Sequence, residues 1–327
     1  LEVDMTHTVP DCFAVGARLR AERGEVAIEA LQIGDRLMTL SGELQPIVWI
    51  GRRRYVCGGH PDPEQVWPIV VAAGALGEGS PARDLVVSPG HGLYVDGRLV
   101  QAIRLVNGAT IRQAPVAEID YWHVELPAHD IVFAEGLPTE SYLDTGDRSH
   151  FEGPDMAPHP DFGPKTLEKT CVPYLGDEAL ARVRQRLLER VEDFGFAFDE
   201  EPELHALADG RSIPPVRLSD NRYAFVFPEG VKQALLVSRT WRPREATPDN
   251  QDPRTLGVCI SRLDIDGSTL DLSDERLSEG WSYNEPEAHQ RWTTGRASLP
   301  PGLRVALLDV CGVGRYLRRA RPFALEA

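Results

Sequence analysis

From residue 12 to about residue 145 the apolar positions come in short bursts: VAIEAL, IVWIG, WPIVV, DLVV, GLYV and WHVEL, each closed by Gly, Pro or charged residues. Short runs that alternate or stay continuously apolar between turn formers predict β-strands, so this stretch reads as an all-β unit. The pattern then breaks. Pro154, Pro158, Pro160, Pro164 and Pro173, with Gly and Asp among them, follow neither the strand nor the helix period, which predicts a linker. Within it DEALARVRQRLLERVE predicts one helix over 177–192, with Leu180, Val183, Leu187 and Val191 on one face, Asp177 as N-cap and Gly195 as stop. From about residue 210 strand-like runs return (RYAFVF, ALLVSR, LGVCISRLDI, RVALLDV), with turns at Asp266-Gly267 and Pro301-Gly302. The expected organisation is mostly β: a short upstream segment 1–11, an all-β domain 12–145, a linker 146–209 carrying the helix, and a β-sandwich-like domain 210–327.

Length and composition narrow this picture. A chain of 327 residues is longer than one core usually serves, and 42% hydrophobic content is enough to pack two. Asp and Glu outnumber Lys and Arg by 50 to 35, a formal charge of -15 that repels nucleic acid and anionic membranes. No apolar run approaches the roughly 20 residues of a membrane span, and LEVDMTHTVPD has neither the basic start nor the apolar centre of a signal peptide. A soluble chain is expected. The five cysteines (Cys12, Cys57, Cys171, Cys259, Cys311) lie far apart, without the paired spacing of a zinc ribbon or a disulfide framework.

Cysteine is the strongest side-chain nucleophile at neutral pH, and Cys12 stands in D-C-F-A-V-G-A-R-L, followed by Gly34-Asp35 at the entry to a further strand. A second motif, Ser88-Pro89-Gly90-His91, sits between DLVV and GLYVDG; a third, IDYWHVELPAHDIVFAEG from Ile119 to Gly136, contains His123 and His129. In order and separation these resemble the hedgehog/intein (Hint) superfamily: the opening cysteine, the Thr-x-x-His segment with Ser for Thr, and the late histidine segment. The stretch Glu135 to Asp144 (E-G-L-P-T-E-S-Y-L-D) resembles the end of a bacterial Hint subfamily. Ala17 departs from the family, where Thr commonly follows the Gly.

The resemblance implies autoprocessing. Cys12 would attack the carbonyl of Asp11, an N-to-S acyl shift that turns the scissile Asp11–Cys12 amide into a thioester. His91 would protonate the departing amine, with Ser88 and His123 assisting and His129 as the outlying member. No Asn stands at the junction, where Glu140-Ser141 is found, so cleavage or acyl transfer is expected and splicing is not. The substrate is the chain's own upstream segment, the acceptor an external water, thiol or amine, and the activity a single turnover without cofactor or metal.

Two other classes of function fit the same residues. A catalytically degenerate Hint-like scaffold could serve as an interaction module beside a glycan- or protein-binding β-sandwich, for which Trp281, Tyr283 and Trp292 are the aromatic candidates. A cysteine hydrolase acting in trans would need an open cleft at Cys12. Elsewhere, Cys57 and His60 read as an exposed loop and not half a metal site, Gly51 to Arg54 as a solvated strand end, and Asp264, Asp266 and Gly267 as a hairpin turn and not a calcium loop.

Overall fold

The computed structural model describes residues 11–144, Arg148, Phe151, 170–283 and 289–320. Residues 1–10 and the prolines from Pro154 to Pro164 fall outside these. The chain is mostly β and divides after Phe194 into two compact units.

Among its described residues the first unit has fourteen strands: Phe13–Ala14 (β1), Arg18–Ala21 (β2), Gly24–Ala27 (β3), Arg36–Met38 (β4), Leu44–Pro46 (β5), Trp49–Val56 (β6), Ile69–Val71 (β7), Leu85–Val87 (β8), Gly92–Val95 (β9), Arg98–Gln101 (β10), Ile111–Gln113 (β11), Glu118–Glu125 (β12), Ile131–Ala134 (β13) and Leu137–Glu140 (β14). They form a six-stranded sheet ordered β11-β7-β8-β1-β12-β6 and an eight-stranded sheet β10-β9-β14-β13-β2-β4-β5, with β3 on β2. The short opening strand β1 is therefore central. Phe13 pairs with Trp122 of β12 on one side and Val87 of β8 on the other. Because side chains alternate along a strand, Phe13 enters the main core with Leu93, Val124 and Val132, while Cys12 and Ala14 enter a smaller cluster with Trp49, Tyr121, Tyr142 and Phe151.

A helix, Asp177–Glu189 (α1), continues as a 3-10 turn to Phe194. Its apolar face lies in the first unit's core: Leu180, Val183 and Leu187 pack in the same cluster as Phe13 and Val100. A helix this short is marginal in water, so that burial is what holds it. The N-cap is Gly176 and not Asp177; Asp177 is the first helical residue, and its carboxylate accepts from Arg104 (2.6 Å), where its charge still suits the helix start. Just before the helix the backbone docks beside β10: Leu99 N–H donates to the Pro173 carbonyl (3.2 Å) and Leu175 N–H to the Leu99 carbonyl (2.9 Å). Main-chain bonds thus cover part of an open sheet edge with a segment that has no strand pattern of its own.

Two local expectations need correcting. The arginines at 52–54 lie in the body of β6, not at a strand end, because β6 pairs along all of β12; Arg52 and Arg54 reach across to Asp120 (2.9 Å) and Glu118 (2.6 Å). Cys57 is buried in a 3-10 turn and not in an exposed loop, held where its N–H meets the Ala117 carbonyl (2.8 Å).

The second unit has a four-stranded sheet in the order Arg211–Ile213, His205–Ala208, Ala234–Val237, Arg296–Leu299. A six-stranded one runs Val216–Arg217, Arg222–Val226, Val305–Gly312, Cys259–Ile265, Ser268–Leu270, with Arg291–Trp292 on Cys259–Ile265. Residues of both sheets, among them Leu236, Ala297, Phe225 and Leu308, share one core. Strands begin already at Phe196 and His205, inside the stretch read as linker. Asp266 and Gly267 both take positive φ (50° and 84°), the conformation of a tight hairpin turn, and the carboxylate of Asp264 is occupied by Thr269 (2.6 Å) and Arg262 (3.0 Å). Trp281 is a core residue whose indole N–H donates to the Ser298 carbonyl (2.8 Å), whereas Tyr283 is 79% exposed.

Candidate active site

The site forms where β1 is gripped between β8 and β12. Ser88 directly follows β8, and its N–H donates to the Cys12 carbonyl (2.8 Å), extending the β8–β1 ladder by one rung. In return the Cys12 N–H donates to Ser88 Oγ (2.8 Å). Pro89 and Gly90 then turn the chain, closed by His91 N–H on the Ser88 carbonyl (3.2 Å), and His91 is delivered to the start of β9.

The imidazole of His91 is fully buried against the Phe13 ring, with centroids 4.3 Å apart. Burial drives its pKa down from 6.5 to about 4, against the smaller upward pull of the Glu140 carboxylate and of the Asp11 carbonyl; His129 adds to the depression. Neither ring nitrogen completes a hydrogen bond. The same turn thus seats the nitrogen of the Asp11–Cys12 peptide on Ser88 and delivers the His91 ring against Phe13, the residue after Cys12.

His123 lies 5.5 Å from His91 and 5.3 Å from Tyr142, ring centre to ring centre. It is fully buried, and desolvation, reinforced by His91 and His129, holds its pKa well below 6.5. Its Nδ1 accepts from the Val124 N–H (3.1 Å), so the ring is neutral with its proton on Nε2. On an alternating strand this position reads as half-exposed; it is covered instead because Tyr142, Trp49 and Phe151 close over that face of β12.

His129 belongs to an adjoining layer. Its Nε2 is 3.4 Å from Glu140 Oε2, and its Nδ1 accepts from the Cys171 N–H (3.0 Å). Burial opposes charge on this ring, but the Cys171 side chain and the Glu140 carboxylate outweigh it and raise its pKa to about 9. The Cys171 N–H at Nδ1 turns the Nε2 edge of the ring toward Glu140. Glu140 is itself buried and accepts from Gly92 N–H (2.6 Å) and from the Tyr174 hydroxyl (3.1 Å). Burial, then Glu140 and Asp11, raise the proton affinity of Tyr174, so the phenol stays protonated.

Five residues singled out from the sequence, Cys12, Ser88, His91, His123 and His129, are thus collected around one peptide bond or the layer beside it. Glu140, Tyr174 and Cys171 were not foreseen in this role. Glu140 stood in view at the motif's end, whereas Tyr174 and Cys171 lie in a stretch without periodicity. Among the described residues no group of three or more His, Cys, Asp or Glu side chains could hold a metal ion, and no helix is long and apolar enough to cross a membrane.

A family model described as the Hint domain matches residues 11–146, from Asp11 to just past β14. That span carries this site. Residues 11–146 form a Hint domain. Solved structures similar to the chain include the gp41-1 intein (11% identity, 39% of this chain and 96% of that one, TM-score 0.30) and the bacterial intein-like domain from Clostridium thermocellum (14%, 41% and 99%, 0.30). The Msm DnaB1 intein splicing domain bound with zinc is another (17%, 39% and 98%, 0.29). No curated protein matches the chain.

Proposed function

We propose that the Hint domain processes its own upstream segment: Cys12 Sγ attacks the Asp11 carbonyl, the amide becomes a thioester, and the segment ending at Asp11 is released or transferred without splicing. The observation that carries this reading is the seating of Cys12 N–H on Ser88 Oγ (2.8 Å) by the same turn that holds the fully buried His91 through its N–H on the Ser88 carbonyl (3.2 Å). As sulfur adds to the carbonyl, negative charge grows on the Asp11 oxygen, which the neutral His91 N–H would stabilise. A ring with pKa about 4 carries almost no imidazolium at neutral pH. His91 therefore acts first as a donor to the oxyanion, and only then passes a proton toward the Cys12 nitrogen. His123, with Nε2–H as its free-standing donor, supports the same dry pocket. Glu140-Ser141 at the end of β14 supplies no Asn to cyclise, so the downstream bond has no counterpart reaction.

The full burial of Cys12 is also what a retained, inactive scaffold would display. Fusing a folded domain ahead of Leu1 and following intact mass with and without added thiol separates the two. The processing reading expects cleavage before Cys12, faster with thiol because only a thioester exchanges readily, lost in Cys12→Ala and kept in Cys57→Ala. A wild-type fusion that stays whole for days in thiol leaves the scaffold reading standing.

A further inference from the structure

Resting on the reading above, we propose that Phe151, latched by Arg148, is the specificity-determining residue for the acceptor: it covers the Cys12 sulfur and decides which external nucleophile reaches the acyl group there.

Cys12 has no exposed surface and shares a cluster with Trp49, Tyr121, Tyr142 and Phe151. Those four aromatic residues are not held alike. Trp49 and Tyr121 belong to the β6–β12 ladder, and the Tyr142 N–H donates to the Val124 carbonyl of β12 (2.8 Å), so sheet hydrogen bonds fix all three. Phe151 stands outside the strands, and its N–H donates locally, to the Arg148 carbonyl (3.1 Å). Its ring joins the cluster through side chains, edge-on to Trp49 (5.1 Å between ring centres) and to Tyr142 (5.7 Å). The fit is close, since a Cβ at Gly51 would stand 2.7 Å from Phe151 Cδ1. A ring held by packing, on chain outside the ladder, is the part of such a cover that opens first.

Arg148 latches it. The guanidinium lies 4.8 Å from the centre of the Trp49 ring and 5.8 Å from that of Tyr142, and it pairs with Glu125 and with Asp144 (3.3 Å). Arg148 is nevertheless only 8% exposed and Glu125 1%. A buried ion pair costs desolvation that an apolar filler would not, and what it supplies in return is one defined geometry. In the step so controlled, an external thiolate bonds to the Asp11 carbonyl carbon, the bond from that carbon to Cys12 Sγ breaks, and the Cys12 sulfur takes the proton the thiol gave up. A small thiol needs only the Phe151 ring to swing aside. A thiol the size of a tripeptide needs the Arg148 latch broken as well.

The first test uses the full chain and requires no processing. Native protein is treated with iodoacetamide for a series of times, digested with trypsin and read by mass, Cys12 in the peptide ending at Arg18 and Cys57, equally buried, in the peptide Tyr55 to Arg83. Phe151→Ala should speed alkylation of Cys12 by roughly tenfold to a hundredfold and leave Cys57 at its wild-type rate, because losing the packed ring lowers the local cost of opening. Phe151→Leu, which keeps an apolar cover, should restore most of the protection. Arg148→Gln, which leaves the ring in place, should act in the same direction less strongly. No acceleration at Cys12, or equal acceleration at both cysteines, would make the ring ordinary core filling and overturn the proposal. With a folded fusion upstream, wild type should be cleaved faster by mercaptoethanol than by glutathione at equal thiolate concentration, and Phe151→Ala should narrow that difference by about tenfold. An unchanged preference in a Phe151→Ala chain whose Cys12 has become open to iodoacetamide would overturn acceptor selection and leave processing intact. A fusion inert to both thiols, with Cys12 open to iodoacetamide, would remove processing and acceptor selection together.

Discussion

Acid should loosen the first unit through His91, and the size of the effect follows from its surroundings. The ring has no exposed surface, and burial lowers its pKa from 6.5 to about 4. Above about pH 6.5 both folded and unfolded chains hold it neutral, so it contributes no pH dependence there. As pH falls from 6.5 toward 4 the unfolded chain takes up a proton that the folded one refuses, and stability drops. At about 1.4 kcal/mol per pH unit, less the onset of protonation in the folded state, the loss is about 3 kcal/mol by pH 4. Because the chain holds two units, a global melt would mix them; hydrogen exchange read peptide by peptide over residues 85–101 isolates the relevant strands. The comparison is wild type against His91→Gln, each at about pH 7 and about pH 4, with intrinsic exchange rates corrected. Wild type should lose about 3 kcal/mol more opening free energy than the variant over this range. That difference includes the coupling to His123, whose pKa is depressed in the same direction. Equal acid sensitivity in the two proteins would refute the account of a neutral, desolvated His91.

Two further outcomes test the frame around the site. A Cβ at Gly92 would stand 2.5 Å from Glu140 Oε1, so Gly92→Ala should displace that carboxylate, lower the raised pKa of His129 in a histidine NMR titration and slow processing; an unchanged His129 titration would show that Glu140 is not what sustains it. Leu187→Ala, removing a side chain 4% exposed from the shared core, should cost the first unit about 2–4 kcal/mol by denaturant titration with exchange readout, while a loss under about 0.5 kcal/mol would mean that α1 is only loosely docked.

Much of the first unit was legible because its code is local. DLVV, GLYV and WHVEL announce β8, β9 and β12 by apolar runs between turn formers, and S-P-G-H announces a turn with a histidine at its exit. What escaped depends on distant parts of the chain. His123 alternates with Tyr121 and Glu125, a pattern that suggests a wet face, and it is dry only because Tyr142 and Phe151, up to 28 positions later in the chain, fold back over it. Cys171 and Tyr174 sit among prolines and glycines that predict a linker, yet an exposed sheet edge needs no side-chain periodicity in the segment that pairs with it. The main chain from Pro173 to Leu175 satisfies Leu99, and that pairing brings the Tyr174 hydroxyl to Glu140, with the Cys171 N–H on His129 just before it.

The same geometry accounts for the tolerance of Ser where the family pattern has Thr. In the structure Ser88 Oγ accepts from the Cys12 N–H, a task that a hydroxyl oxygen fulfils with or without the β-methyl of Thr. In the processing proposed above, loss of amide resonance would leave the Cys12 nitrogen pyramidal, with a basic lone pair directed away from the N–H that Ser88 holds. The proton for the departing nitrogen would therefore have to come from another side, from His91 once it has served the oxygen, while Ser88 keeps the nitrogen in place. A hydroxyl that positions and a neutral imidazole that passes the proton would let the shift proceed in a pocket too dry to hold a charged acid.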